Sequence, residues 1–320
     1  MRFLAYLHSY PPLRLLGGEM MTSRLLEALV DAGHEVKVLA QATRHEFTRN
    51  GVRVVPRRLN VSRGDLFSTN ALISHPEIAH FVSSRASALG VPYVGIVHNL
   101  NEPTLEEIRR FRPDITIANA IPTQDALKRL HPEADVRLIR PPSLPAWTRP
   151  PSAPLGRHFV TLVNLSPAKG VETFYALAQA RPDLHFLGVL GGYGEQERRR
   201  LPNVTIMGQT EDMGLVYAMS RVILMPSHLE TYGLVAAEAC LHGIPVIASG
   251  LPGLLDALGP SGASYVDHEN IDGWLDVLAE LDDPEGYARA AAAASARGEY
   301  LAARSRVDLD SWVSMLEGLA

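Results

Sequence analysis

LMPSHLETYGLVAAEACLHGIPVIAS, residues 224–249, is the stretch on which the rest of the chain can be organised. The apolar run Val222 to Met225 stops at Pro226-Ser227 and reads as a buried strand. A polar loop follows, then a helix from Tyr232 to His242, closed by Gly243 as its C-terminal cap. Pro245 opens the next strand, Val246 to Ala248. Helical spacing puts Leu234, Ala237, Glu238 and Leu241 on one face. A carboxylate within an apolar stripe costs several kcal/mol, on the order of 2–7, unless it is paired. Glu238 is therefore expected to have a partner, either a side chain or a bound ligand.

Glu230 precedes that helix, with seven residues between it and Glu238. At about 1.5 Å per helical residue, the two carboxylates stand roughly 10 Å apart. Between them the amides of Thr231, Tyr232, Gly233 and Leu234 are expected at the positive end of the helix dipole, where an anion is stabilised. The order carboxylate, anion site, carboxylate matches sugar, diphosphate and ribose. This block resembles the glutamate-x7-glutamate signature of retaining GT-B glycosyltransferases, in particular family 4. The resemblance implies that Glu230 faces the donor sugar and Glu238 holds the ribose hydroxyls.

The first half is strand-rich. Phe3 to Leu7 reads as a strand, Ser9 to Gly18 as a loop and Glu19 to Ala32 as a helix ending at Gly33. His34 to Leu39 then starts a second strand, so the unit is a right-handed parallel crossover with its loop toward a ligand. Locally Gly17-Gly18 reads as well as a plain turn. The family resemblance implies that this pair lets backbone approach donor phosphate and acceptor. Further strands are expected at Val52 to Val55, Ala71 to Ser74, Tyr93 to Val97, Ile115 to Ala118 and Val136 to Ile139. Helices are expected at Glu77 to Leu89, Pro103 to Phe111 and Thr123 to Leu130. That alternation predicts a mostly parallel sheet covered on both faces. His75 and His98 each follow a strand, a place where a histidine is commonly structural. The run Pro92 to His98 resembles the family strand whose terminal histidine lies beside the reacting sugar, which implies a catalytic role for His98. Asn119 stands where the family usually has serine.

Six prolines between Pro141 and Pro154 disfavour helix and strand alike, so a semi-rigid linker is expected there. The chain restarts with a strand, Phe159 to Val163, then Asn164 to Gly170, a helix to Ala180 and a strand from His185 to Val189. Residues 164–170 resemble the family's Gly-Arg-x-Ser-x-x-Lys-Gly element, whose cations grip the donor diphosphate. Lys169 matches, and Asn164 replaces the arginine. With three lysines among 30 cationic residues, lysine at this position is not a compositional default. The glycines from Gly188 to Gly194 lack G-x-G-x-x-G spacing. The resemblance makes them a loop bordering the nucleotide, with base contacts after the strand ending near Gly208. The segment Gly250 to Asp256 loosely matches the family's Gly-Gly-Leu-Pro-Glu. Beyond Tyr265 the chain reads as helical, with a last helix at Leu309 to Leu319.

Composition places no obstacle before this reading. The 320 residues, 46% hydrophobic and 20% charged, suggest two domains with ordinary cores. A net charge of −5 carries no electrostatic footprint for nucleic acid or an anionic membrane. The single cysteine, Cys240, excludes a disulfide framework and a zinc cluster. Met1 to His8 lacks a signal-peptide layout and no apolar run is long enough to span a bilayer, so a cytoplasmic location is expected. The expected architecture is α/β, two facing doubly wound Rossmann-like domains in a GT-B arrangement. Residues 1–145 would bind the acceptor, 146–305 the nucleotide sugar, and 306–320 would return as a helix toward the first domain. The expected reaction, in the cleft between the two, takes a sugar from a nucleotide-diphosphate donor to a hydroxyl acceptor. That acceptor is a metabolite, a glycan or lipid precursor, a protein or a modified nucleobase. No cofactor and no metal are expected, since the one Asp-x-Asp, Asp308 to Asp310, begins the last helix. A GT-B 2-epimerase and a non-catalytic sugar-nucleotide-binding module are the alternatives.

Overall fold

A computed structural model describes residues 1–57, 68–149 and 156–319. The chain forms two compact units, Met1–Pro142 with Arg306–Ala320, and Ser143–Ser305.

The first unit is built on a sheet whose described strands are β1 (Arg2–Leu7), β2 (Glu35–Ala40), β3 (Phe47–Arg49), β4 (Val52–Pro56), β5 (Ala71–Ser74), β6 (Tyr93–Val97), β7 (Ile115–Ala118) and β8 (Asp135–Leu138). They are ordered β3-β4-β2-β1-β5-β6-β7-β8, and every pairing is parallel except β3 with β4. The antiparallel edge strand β3 was not expected from the sequence, because Phe47-Thr-Arg49 is too short to show a period. Helices α1 (Gly17–Asp31), α2 (Ala79–Leu89), α3 (Glu102–Arg110) and α4 (Ile121–Leu130) connect the strands.

The strands read as continuous apolar runs because both sheet faces are covered. The pleat sends Phe3, Ala5 and Leu7 into one core with Leu25 and Leu26 of α1, and Leu4 and Tyr6 into another with Val82 and Ala86 of α2. Trp312 and Leu316 belong to the first of these cores, and the Trp312 indole donates to the Leu25 carbonyl at 2.8 Å. They lie on one long helix, Pro284–Glu317, instead of the separate terminal helix expected from Leu309. The alanine-rich segment continues into it through Gly298.

The sheet of the second unit comprises β9 (Phe159–Val163), β10 (His185–Val189), β11 (Val204–Met207), β12 (Ser220–Met225), β13 (Val246–Ala248) and β14 (Ser264–Tyr265). Its order is β11-β10-β9-β12-β13-β14, parallel throughout. The helices are α5 (Val171–Ala180), α6 (Met213–Met219), α7 (Leu234–Leu241), α8 (Pro252–Leu258) and α9 (Ile271–Glu280), with Pro284–Glu317 as α10. Val160, Leu162, Val222 and Leu224 bury against Phe174 and Leu177 of α5 and Trp274 of α9. Among the described residues no helix is long and apolar enough to cross a membrane.

The proline-rich segment, expected as a semi-rigid linker, is held in place where it is described. Its described part is docked on the second unit: the Ser143 amide donates to Ser305 Oγ at 2.8 Å, and Pro145–Thr148 forms a 3-10 turn. Residues 150–155 of that segment lie outside the described residues.

Both sheets have a point where the strand order reverses direction. In the first it lies between β1 and β5, and in the second between β9 and β12. The loops beyond the carboxyl ends of such strands diverge to opposite faces, which leaves a crevice for a ligand.

Candidate active site

At the reversal of the second sheet, the loops after β9 and β12 are pressed together. Gly170 has φ +77°, and a Cβ there would lie 2.0 Å from the Pro226 carbonyl oxygen, so only glycine permits the approach. The His228 amide donates to the Ala168 carbonyl at 3.1 Å and pins the same two loops. This docking brings Lys169 Nζ onto Glu230 Oε2 as a hydrogen-bonded ion pair, each side chain 14% exposed. Burial favours a neutral lysine, but the Glu230 carboxylate and then Tyr193 outweigh it and raise the Lys169 pKa.

Helix α7 begins at Leu234, two residues later than expected, because Gly233 at φ +98°, ψ +56° is its N-cap and breaks the helical path. Thr231 and Tyr232 therefore lie in the turn before the helix, and the positive end of the dipole starts at Leu234. The expected apolar stripe is also absent. Ala236, Ala237, Glu238, Ala239 and Cys240 are all buried, so α7 is sunk on every side while Leu234 and Leu241 are partly exposed.

A protein partner of Glu238, 3% exposed, is Tyr217 on α6, whose hydroxyl donates to Oε2 at 2.7 Å. The same hydroxyl lies 3.4 Å from the Val235 carbonyl oxygen. The Tyr217 ring stacks on His242 at 5.3 Å between centroids, and His242 Nε2 is 2.8 Å from Thr148 Oγ1. Burial, then Arg157, lowers the His242 pKa despite Glu238 nearby. Tyr217 carried no sequence signal, since it sits in a short helix outside any motif.

Asn164 does not substitute for a cation in this structure. It adopts a left-handed backbone, φ +74°, which asparagine tolerates better than most residues, and its Oδ1 accepts from Gln196 Nε2 at 2.7 Å. Gln196 escaped the sequence reading too, being one polar residue in a polar loop. Gly208 follows β11 in open space, with nothing within 4 Å of a Cβ position.

In the first unit, His8, His75 and His98 each directly follow β1, β5 and β6, three adjacent strands. Helix α1 starts at Gly17, so the glycine pair lies within its first turn and not in the preceding loop. A Cβ on Gly18 would lie 2.6 Å from His98 Cδ2, so Gly18 makes room for that imidazole, whereas Gly17 meets nothing within 4 Å. His98 packs edge-on against His75, centroids 4.6 Å apart, and His75 Nε2 is 2.7 Å from Thr22 Oγ1 of α1. Burial, reinforced by His98 and His8, holds the His75 pKa well below the ordinary histidine value. Asn119 Nδ2 reaches the His98 carbonyl at 3.4 Å, and Asn119 Oδ1 accepts from Thr123 at 2.8 Å. The expected site residues thus fall into two groups, Lys169, Glu230, Glu238 and Asn164 on the second unit and Gly17, Gly18 and His98 on the first.

The profile described as Glycosyl transferases group 1 matches residues 157–295, and the profile described as Glycosyltransferase Family 4 matches residues 16–142. Among solved structures, a sucrose-phosphate synthase from Thermosynechococcus elongatus is similar over 100% of this chain and 98% of its own, with TM-score 0.75 and 18% identity. Anabaena HepE, solved with UDP and glucose, is similar over 98% of this chain and 99% of its own, with TM-score 0.76 and 15% identity. The fold is that of the GT-B glycosyltransferases, and each half of the chain matches a glycosyltransferase family model, the first half that of family 4. The chain is also similar to the D-inositol 3-phosphate glycosyltransferase of Mycolicibacterium gilvum, 30% identical over 157 residues, 43% of this chain and 35% of that protein. The counterpart from Mycolicibacterium smegmatis is 27% identical over 191 residues, 53% of this chain and 43% of that protein. The matches thus span less than half the length of these relatives.

Proposed function

We propose that this glycosyltransferase moves a sugar from a nucleoside-diphosphate sugar to a hydroxyl acceptor, retaining the anomeric configuration and using no metal ion. The observation that carries the reading is the Lys169–Glu230 pair at the reversal of the second sheet, on the same strand–loop–helix as buried Glu238. When a donor enters, Lys169 turns to the diphosphate, and Glu230, released from it, accepts from the sugar hydroxyls. The hydrogen bond from Tyr217 fixes the Glu238 carboxylate plane for the ribose hydroxyls. The bond from the anomeric carbon to the diphosphate oxygen breaks as the acceptor oxygen bonds to that carbon on the same face. The acceptor's proton passes to the departing phosphate oxygen, so no side-chain base is needed. The Lys169 ammonium and the first amides of α7 stabilise the charge that develops on the leaving group. Similar solved structures that contain UDP or UDP-glucose support a nucleotide sugar as donor.

Thermal-shift screening against UDP-, GDP- and ADP-sugars tests the donor class, because a ligand at 100 times its Kd adds about 2.7 kcal/mol of stability. With the donor that stabilises, NMR of the first-formed product is expected to show the donor's own anomeric configuration. Turnover is expected to persist in EDTA. An inverted product refutes retention, and activity lost to EDTA and restored by manganese refutes the metal-free assignment.

A further inference from the structure

We propose that Arg57 and Arg85 of the first unit form a binding site for a phosphate monoester carried by the acceptor. Giving that phosphate to the acceptor rests on the transfer reading above; the oxyanion site itself does not.

Arg57 directly follows β4, and Arg85 lies on α2, the helix after β5. Both guanidiniums sit over the half-buried Phe81 ring, their carbons 4.3 and 4.4 Å from its centroid. Arg85 is also 5.9 Å from the ring centroid of Tyr6, which packs edge-on against Phe81 at 5.3 Å. Among the described residues neither cation has a carboxylate partner. Elsewhere in this unit arginines are paired: Arg53 reaches Glu46 at 2.6 Å, Arg109 reaches Glu102 at 2.7 Å and Arg137 reaches Asp135 at 2.7 Å. Tyr6 is 1% exposed, and no described partner meets hydrogen-bond geometry with its buried hydroxyl. Burial raises its pKa against the pull of Arg85 and then Arg57, so both positive charges bear on one spot.

Two like charges over one ring repel, and partial burial weakens the screening between them. The ring face offsets part of that cost by attracting cations. A guanidinium over a ring keeps its N–H donors at its edge, as a fork that matches the oxygens of a phosphate or a carboxylate. Charge decides between these two. A phosphate monoester carries about −1.5 to −2 at neutral pH, enough for both arginines, whereas a carboxylate neutralises only one. The position suits an acceptor. Arg57 stands at the carboxyl end of β4, and Tyr6 is in register with Ser74, the residue before His75. Three strand spacings separate β4 from β5, so Arg57 is on the order of 14 Å from His75 along the rim where such sheets bind ligands. An acceptor with its phosphate on the arginines therefore extends its hydroxyl toward the His75–His98 pair.

The test is calorimetric titration of inorganic phosphate, and separately of acetate, into wild type, Arg57→Gln, Arg85→Gln and Arg85→Lys. Whichever of UDP, GDP and ADP binds is held at saturation, so that the donor site is filled. If none binds, the donor reading fails, and phosphate titrated alone still decides the arginine site. Wild type is expected to bind phosphate saturably and more tightly than acetate. Each glutamine variant is expected to weaken phosphate roughly tenfold or more, the loss for a hydrogen bond to a charged group, with nucleoside-diphosphate affinity unchanged. Arg85→Lys keeps the charge and the stem, which guards against loss of the fold, and is expected to lose less than Arg85→Gln. No saturable phosphate binding by wild type, phosphate affinity unchanged in a folded glutamine variant, or acetate bound as tightly as phosphate overturns the proposal.

Discussion

The Tyr217–Glu238 contact predicts a large coupling within the second unit. A carboxylate 3% exposed, with a hydroxyl donor at 2.7 Å, has a charge-assisted bond in a region from which water is excluded. Such bonds contribute about 1.5–3 kcal/mol each. Tyr217→Phe removes the hydroxyl while keeping the ring stacked on His242, so packing is preserved and the loss is assignable to the bond. In a Glu238→Ala background the hydroxyl still has the Val235 carbonyl, at 3.4 Å, to turn to. The same Tyr217→Phe change should then cost little. A double-mutant cycle is therefore expected to return a coupling of about 1.5–2 kcal/mol, the lower part of that range. Urea unfolding read by fluorescence of Trp274, fully buried in the second unit, measures it. For a unit of this size Tyr217→Phe alone should lower Tm by about 3–8 °C. A coupling below about 0.3 kcal/mol, within the additivity of independent sites, would refute the view that Tyr217 is what makes the buried carboxylate tolerable.

Two further outcomes follow from the first unit. On the proposal that His98 lies beside the reacting sugar, Gly18→Ala, which would put a methyl 2.6 Å from His98 Cδ2, is expected to displace the ring and reduce kcat/KM about tenfold or more. Gly17→Ala, with nothing within 4 Å, is expected to keep its activity; equal behaviour of the two variants would contradict the packing argument. The buried His75, with its pKa depressed, makes stability depend on pH in a defined direction. The unfolded chain takes up a proton near 6.5 while native His75 does not, so stability is full above 6.5 and falls as pH drops toward the lower native value. The slope in that window is about 1.4 kcal/mol per pH unit, and chemical denaturation should find it missing in His75→Gln. An unchanged slope in the variant would exclude His75 as its source.

Much of the architecture was legible because it depends on short-range rules. Strands such as Ala71–Ser74, Tyr93–Val97 and Phe159–Val163 are apolar runs buried on both sheet faces, and glycine or proline marks most helix ends. Glu230 and Glu238 could be singled out by type and spacing, and Lys169 through its resemblance to the family's lysine-glycine element. The antiparallel β3 and the start of α7 were not legible. Both turn on one or two backbone angles, such as the left-handed Gly233, that a periodic pattern does not encode.

The partners were decided by tertiary structure alone. Lys169 meets Glu230 across 61 residues, Gln196 meets Asn164 across 32, Thr22 meets His75 across 53, and Trp312 reaches Leu25 across 287. Each of these pairs is set by which strands lie side by side and how closely glycines such as Gly170 and Gly191 let their loops approach. Local sequence can require that a buried carboxylate or an orphaned asparagine be satisfied. Only the strand order, fixed by the whole core at once, determines which side chain arrives to satisfy it.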